Sequence, residues 1–282
     1  MSRTAVPFLH PSALEDRLAR PRERPHRVHY GREGRTIFKG TVTFRARIKG
    51  HGLTVSSCAF NPRDAAVERV EIEGPKGDEL LTTVYLASVA TREEGKVVAA
   101  KVNTAALDRI AFFYNIAIDD AQATSAQFSL VNPPPGNHIQ LDAGELLLTG
   151  EHLRMVIGIS APNLRAQLEK PSPAGEPRFG LFRAARQSTS PVEEFMHLYN
   201  LLLMICNDDQ GDVDAFVRKE EPGVPQTPSP RHPGVMETVY TRLRNELGHP
   251  RKGVDLHDTK AEMANRVGGL ISLTKRAIEQ LP

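Results

Sequence analysis

Two hydrophobic periodicities divide the chain. From about residue 36 to about residue 159 apolar side chains tend to recur at every second position, the spacing of a strand with one buried face. The clearest stretch sets Val42, Phe44, Ala46 and Ile48 against Thr41, Thr43, Arg45, Arg47 and Lys49, and Gly50-His51-Gly52 breaks it. The same reading predicts strands over 67–72, 80–89, 96–102, 126–131, 144–148 and 154–159, each bounded by Gly, Pro, Asn or Asp clusters. One segment departs from it. Asn103-Thr104 is suited to cap a short helix that carries Leu107, Ile110, Ala111 and Tyr114 at helical spacing. Phe112 and Phe113 on that helix, with Tyr114, read as core side chains in preference to a base-stacking platform.

The period then lengthens. Lys170-Pro171-Ser172-Pro173-Ala174-Gly175-Glu176-Pro177 has the composition of a linker. Ser190-Pro191-Val192-Glu193 is a capping box, and Phe195, Leu198, Tyr199, Leu202 and Ile205 continue as one face of a helix up to Asn207. A second, shorter helix is expected from Asp212 to just before Pro222. The stretch 222–234 holds Pro222, Pro225, Pro228, Pro230 and Pro233 and reads as a loop. A third helix carries Met236, Val239, Tyr240, Leu243 and Leu247, and must end at or before His249 because Pro250 pushes its predecessor out of helical geometry. A fourth starts from the capping box Thr259-Lys260-Ala261-Glu262 and runs through Met263, Val267, Leu270, Thr274 and Ile278. The expected fold class is therefore α+β in two domains: an arm over 1–35, a β-rich domain over 36–169, a Pro-rich linker over 170–189 and an all-α four-helix bundle over 190–282.

Composition narrows the chemistry. A length of 282 residues with 40% hydrophobic and 25% charged side chains is ordinary for folded protein, and the net charge of +2 puts any nucleic-acid contact on local patches. One such patch is the arm, where Arg17, Arg20, Arg22, Arg24, Arg27, Arg32 and Arg35 are opposed only by Glu23 and Glu33; it reads as a solvated tail, with phosphate contact as the alternative. Two cysteines, Cys58 and Cys206, one in each expected domain, speak against a disulfide framework or a Cys-based zinc site. No stretch reads as a signal peptide or membrane span, and a soluble cytoplasmic protein is expected. The acidic run 207–214 fails as a calcium loop: counting from Asp208, Val213 falls where glycine belongs and Lys219 where the bidentate glutamate belongs. His249, Asp255, His257 and Asp258 share no ligand spacing, so neither a metal nor a cofactor is expected.

The residues with the most chemistry stand at the exit of the third helix, in Leu243-Arg244-Asn245-Glu246-Leu247-Gly248-His249-Pro250. Arginine grips phosphate through a planar fork, and histidine exchanges protons near neutral pH. Arg244 and His249, five positions apart, would be separated by roughly 140° on an unbroken helix, so they converge only if the helix unwinds or if a two-fold dimer doubles each group in one cleft.

The run Arg244-Asn245-Glu246-Leu247-Gly248-His249 resembles the Arg-polar-x-x-x-His signature of the HEPN superfamily. The resemblance covers roughly the last third of the chain, and it implies a four- or five-helix bundle that dimerises and, with an intact motif, cleaves RNA without a metal in toxin, antiviral or RNA-processing settings. By the same resemblance Arg244 would stabilise the phosphate, Asn245 would orient the phosphate or its neighbour, and His249 would serve as acid or base. Pro250 departs from the pattern, which more often has a small residue there. The layout of a β-rich region followed by such a bundle is similar to Apea-like HEPN proteins and, more loosely, to a family of methylamine-utilisation accessory proteins. Three readings stand at this point: an RNA endonuclease with an N-terminal recognition domain, a non-catalytic RNA- or nucleotide-binding adaptor, and a metabolic accessory protein. Against all three stands a purely architectural role, with Arg244 paired to Glu237 or another carboxylate, Asn245 facing water and His249 capping a helix.

Overall fold

Alternation is realised most fully in β1 (Phe38–Lys49), where Val42, Phe44, Ala46 and Ile48 are buried and Thr41, Thr43, Arg45, Arg47 and Lys49 are half-buried or exposed. The computed structural model describes residues 37–49, 52–55, 57–73, 78–131, 140–143, 156–171, 176–249 and 253–281; the basic arm and the strand predicted over 144–148 lie outside them. β1 is the spine of an antiparallel sheet, paired on one edge with β5 (Glu79–Val89) and on the other with β7 (Gln122–Leu130). Its last two residues, Ile48 and Lys49, pair with β6 (Ala117–Ile118). β3 (Cys58–Phe60), β4 (Val67–Glu73) and β8 (Gln140–Ala143) complete the order β3-β4-β5-β1-β7-β8, while β2 (Gly52–Val55) and β9 (Val156–Ile159) form a separate parallel pair. Gly40 leaves room for the β7 backbone, since a Cβ there would lie 2.2 Å from the Gln127 carbonyl oxygen.

The chain is thus mixed α+β, but its first long helix overturns one predicted strand. Residues 96–102 belong to α1 (Arg92–Tyr114), whose N-cap Thr91 accepts a hydrogen bond from the Glu94 amide at 3.0 Å while Glu94 accepts one from the Ala90 amide. The apparent alternation fails because Val97 is 69% exposed; the buried set Gly95, Ala99, Val102, Ala106 and Ile110 follows the helical period. Ala99, Val102, Ala106, Leu107 and Ile110 pack on the sheet together with Val42, Phe44, Val70, Ile72, Val84 and Leu86. α2 (Ala161–Glu169) covers the β3 edge, with Leu164 buried in the same core and the Arg165 Nε donating to the Ala59 carbonyl at 2.6 Å.

The predicted linker is corrected as well: within 170–189 lies α3 (Glu176–Arg186). Pro177 falls in its first turn, where a missing amide donor costs nothing, so the composition that reads as a linker also suits a helix start. Phe179, Phe182 and Ala185 are buried, and Phe112 of α1 meets Phe179 and Phe182 with ring centroids 4.4 and 5.5 Å apart. Phe112 therefore belongs to a second core, and Thr36–Pro282 groups as one compact unit. Polar contacts reinforce this joint. The Arg183 Nε donates to Asp108 Oδ1 at 2.6 Å, and its Nη1 reaches Asp120 Oδ1 at 2.9 Å and the Asp119 carbonyl at 3.3 Å.

Around the second core pack α4 (Pro191–Ile205), α5 (Gln210–Glu220), α6 (Val239–Gly248) and α7 (Leu256–Gln280). The Ser190 cap of α4 is as predicted, accepting from the Glu193 amide at 3.2 Å. Three boundaries differ. α5 begins at Gln210 because Asp209, not Asp212, is its N-cap. α7 begins at Leu256 because Asp255 caps it, which frees Thr259 to donate to Glu246 Oε2 at 3.0 Å. The proline-rich stretch is not all loop: β10 (Gln226–Pro228) pairs with β11 (Met236–Thr238), so Met236 sits on a strand before α6. Pro228 ends the first strand of this two-stranded ribbon, a position where its lack of an N–H is tolerated. Among the described residues no helix is long and apolar enough to cross a membrane.

The joint makes a stability prediction. Arg183 and Asp108 have side chains 9% and 13% exposed, whereas Asp120 is 84% exposed. Removing one partner of a buried pair costs about 3–5 kcal/mol, and an exposed partner is worth less than about 1 kcal/mol. Arg183→Ala should lower the urea-unfolding free energy by the larger amount and Asp120→Ala by no more than the smaller; equal effects would show that the exposed carboxylate, not Asp108, holds the arginine.

Candidate functional site

The site begins where the β10–β11 hairpin turns into α6. Asp214 on α5 is 3% exposed, and its Oδ1 accepts from the Thr238 amide at 3.0 Å, the Thr238 hydroxyl at 2.6 Å and the Thr241 hydroxyl at 2.7 Å. This buried carboxylate satisfies one amide and two hydroxyls at the start of α6 and suits the positive end of the helix dipole. Thr241 also hydrogen-bonds the Tyr199 hydroxyl at 2.9 Å. Burial, first, pushes the Tyr199 phenol well above its ordinary value, and the charges of Asp214 and Glu237 act in the same direction while Arg244 acts against them.

At the other end of α6 the three motif residues have distinct environments. Asn245 is 8% exposed and does not face water. Its Oδ1 accepts from Gln210 Nε2 and from Arg244 Nη1, each at 3.1 Å, and its Nδ2 donates to Gln210 Oε1 at 3.4 Å and Glu237 Oε1 at 3.5 Å. An amide has two acceptor positions and two donor hydrogens, so this one is fully used inside the protein. Asn245 therefore holds its neighbour and has no free valence for a phosphate. Arg244 is half-buried; beyond Asn245 its Nε is buried with no hydrogen-bond partner among the described residues, and none of their carboxylates forms an ion pair with it. His249 is the C-cap, with φ −140° and ψ 83°, exposed, and tied by its backbone amide to the Asn245 carbonyl at 2.9 Å. The helix ends at Gly248, as the pre-proline position predicts, and Pro250 itself lies outside the described residues.

Of the partners of this site, Gln210 was not read from the sequence, and Glu237, expected there as a partner of Arg244, meets Asn245 instead. Glu237 is carried in by β11, is 6% exposed and accepts from the Ser229 hydroxyl at 2.7 Å. Gln210 arrives through the α4–α5 turn, where Asn207 and Asp208 both adopt left-handed backbone (φ 57° and 58°) before Asp209 caps α5. The signal for Gln210 was present only as that Asn-Asp-Asp turn ahead of a helix; nothing in the spacing links it to Asn245. Within the acidic run, Asp209 is a cap and Asp214 a buried acceptor for α6, and among the described residues no three His, Cys, Asp or Glu side chains are arranged to hold a metal ion. Cys58 and Cys206 are free and buried, and burial raises both thiols, Cys206 to about 11.

In chemical terms the end of α6 offers a guanidinium with no carboxylate partner among the described residues, held from behind by a saturated amide, and, five positions further on at the C-cap of a helix unbroken through Gly248, a solvent-exposed histidine. That set suits an anion with a proton to exchange. Comparisons with protein-family models, with curated proteins and with solved structures return no match.

The same helix carries a pH-sensitive contact. The Tyr240 hydroxyl donates to Glu221 Oε2 at 3.1 Å and lies where a Cβ on Gly269 would be 2.3 Å away. Burial, then the Glu221 charge, pushes its phenol up to about 12. An unfolded phenol ionises near pH 10, so between about pH 10 and 12 the folded state keeps a proton that the unfolded state has lost, and stability must fall as pH rises. Tyr240→Phe should flatten that fall in urea midpoints measured from pH 9 to 12; an unchanged slope would show that Tyr240 ionises normally in the fold.

Proposed function

We propose that this chain is a metal-independent RNA endonuclease of the HEPN type, with Arg244 binding the scissile phosphate and His249 moving a proton. The observation that carries the reading is the half-buried guanidinium of Arg244, which no carboxylate among the described residues pairs, on the helix whose C-cap is the exposed His249. An unmade hydrogen bond to a charged group is costly, and a phosphate oxygen is the partner best matched to a guanidinium edge. The sheet region serves in this reading as the module that recognises a trigger or substrate.

The reaction needs a base, an acid and positive charge. The 2′-hydroxyl gives its proton to a base and attacks phosphorus, the 5′-oxygen leaves with a proton from an acid, and the products are a 2′,3′-cyclic phosphate and a 5′-hydroxyl. Arg244 offsets the charge that grows on the phosphoryl oxygens. One chain supplies one His249, so the active species is a homodimer in which a two-fold axis provides a second imidazole and a second guanidinium. The same count favours the runner-up: a chain that acts as a monomer has a phosphate grip and a single proton carrier, which suits an RNA- or nucleotide-binding adaptor. The metabolic accessory reading rests on layout alone.

His249→Ala should reduce RNA cleavage by about 10²- to 10⁴-fold while leaving the unfolding free energy within about 0.5 kcal/mol, because the side chain is exposed. EDTA should not inhibit. If RNA binds but is left intact by the wild type, the adaptor reading replaces the enzymatic one. Dilution followed by light scattering tests the dimer: activity per chain should drop as the dimer dissociates, and a fully active monomer would end the composite-site arrangement.

A further inference from the structure

We infer that Gln210 is the positioning residue that sets the orientation of the Arg244 guanidinium, acting through Asn245. The inference rests on the proposed role of Arg244 and adds to it a residue outside the Arg-polar-x-x-x-His run. Gln210 and Asn245 form a two-way amide pair, with one bond of 3.1 Å and one of 3.4 Å in opposite directions. Such a pair holds the plane of the Asn245 amide, while Arg244, which can only donate, meets its oxygen end. With Nε2 of Gln210 on one lone pair of Oδ1, the other lone pair is presented to Arg244 Nη1 at 3.1 Å. Glu237 Oε1 supports the same orientation, because a carboxylate oxygen accepts only from the Nδ2 end.

Without Gln210 the amide keeps one donor contact and loses the partner that defines its plane. The Arg244 fork is then free to turn about its Nε–Cζ bond, and an aligned cation becomes a diffuse one. The backbone shows how the residue is delivered: consecutive left-handed residues Asn207 and Asp208 place Gln210 at the first position of α5, where its own helical position needs no side-chain amide. Asp209 already caps that helix.

The test uses the full chain and two readouts. Gln210→Met keeps an unbranched side chain of similar length and removes both hydrogen bonds; Gln210→Leu is the second variant should the first not fold. Nitrogen-15 NMR of the arginine side chains reads rotation about the Arg244 Nε–Cζ bond without any RNA. Rotation should be slow in the wild type and at least several-fold faster in the variants. Steady-state cleavage of a single-stranded RNA should show kcat lowered by about 10- to 100-fold with little change in KM and an unshifted pH profile. Val213→Ala, in the buried face of the same helix, is the control for mere loosening of α5: it should lower Tm and leave both the Arg244 rotation and kcat near wild type. Unchanged Arg244 rotation in both Gln210 variants would overturn the inference whether or not RNA is cleaved. Faster rotation in a protein that cleaves no RNA would uphold the positioning role and overturn the enzymatic reading instead. Equal effects from Val213→Ala and Gln210→Met would reduce Gln210 to a structural residue.

Discussion

The guanidinium of Arg183 is the tie on which the architecture depends. It stands where α3 crosses α1, and its donors are spent on the Asp108 and Asp120 carboxylates and on carbonyls at the end of β6 and just after it. Above it Phe112, Phe179 and Phe182 carry α1 out of the sheet core and into the helical one. A buried charge is tolerated only when paired and hydrogen-bonded, so this contact admits one arrangement of α3 against the sheet. The helical region thereby inherits a fixed platform, and α4 follows directly from it through the ion pair of Arg186 with Glu194.

A second arginine, Arg244, is treated in the opposite way. Its surroundings supply one saturated amide and leave a buried donor unmet among the described residues, with two buried carboxylates, Asp214 and Glu237, engaged nearby by hydroxyl and amide groups. The Nε atoms of Arg45, Arg186 and Arg276 are likewise buried without a hydrogen bond, but each of those arginines is ion-paired to a carboxylate, and Arg244 is not paired to one among the described residues. The difference between a spent and an unspent cation is the physical basis for reading α6 as the working end of the molecule.

Much of this was legible in the sequence because local rules governed it. β1, β4 and β5 follow their alternation, Ser190 caps α4 as its box indicates, and α6 stops ahead of Pro250. The misreadings come from packing and pairing partners. At Val97 and at Phe179 the outcome is decided by partners distant in the chain, the sheet face that receives Ala99 and the aromatic cluster around Phe112, and at Met236 by a hairpin partner, Gln226–Pro228, inside a stretch whose prolines read as loop. The site divides along the same line. Arg244, Asn245 and His249 were visible as neighbours on one helix, whereas Gln210, brought in by a turn 35 residues earlier, has no periodic or compositional mark that ties it to Asn245. The role expected for Asn245 was read as open between the phosphate and its neighbour, and the full occupancy of its amide favours the neighbour.

The central claim is that a 2′-hydroxyl is activated at the exit of α6. It is tested most directly by offering the purified protein, in EDTA, a single-stranded RNA and the same sequence carrying 2′-O-methyl groups throughout. The account predicts cleavage of the first, with every product ending in a 2′,3′-cyclic phosphate, and binding without cleavage of the second. Cleavage of both, or products bearing a 5′-phosphate, would contradict it.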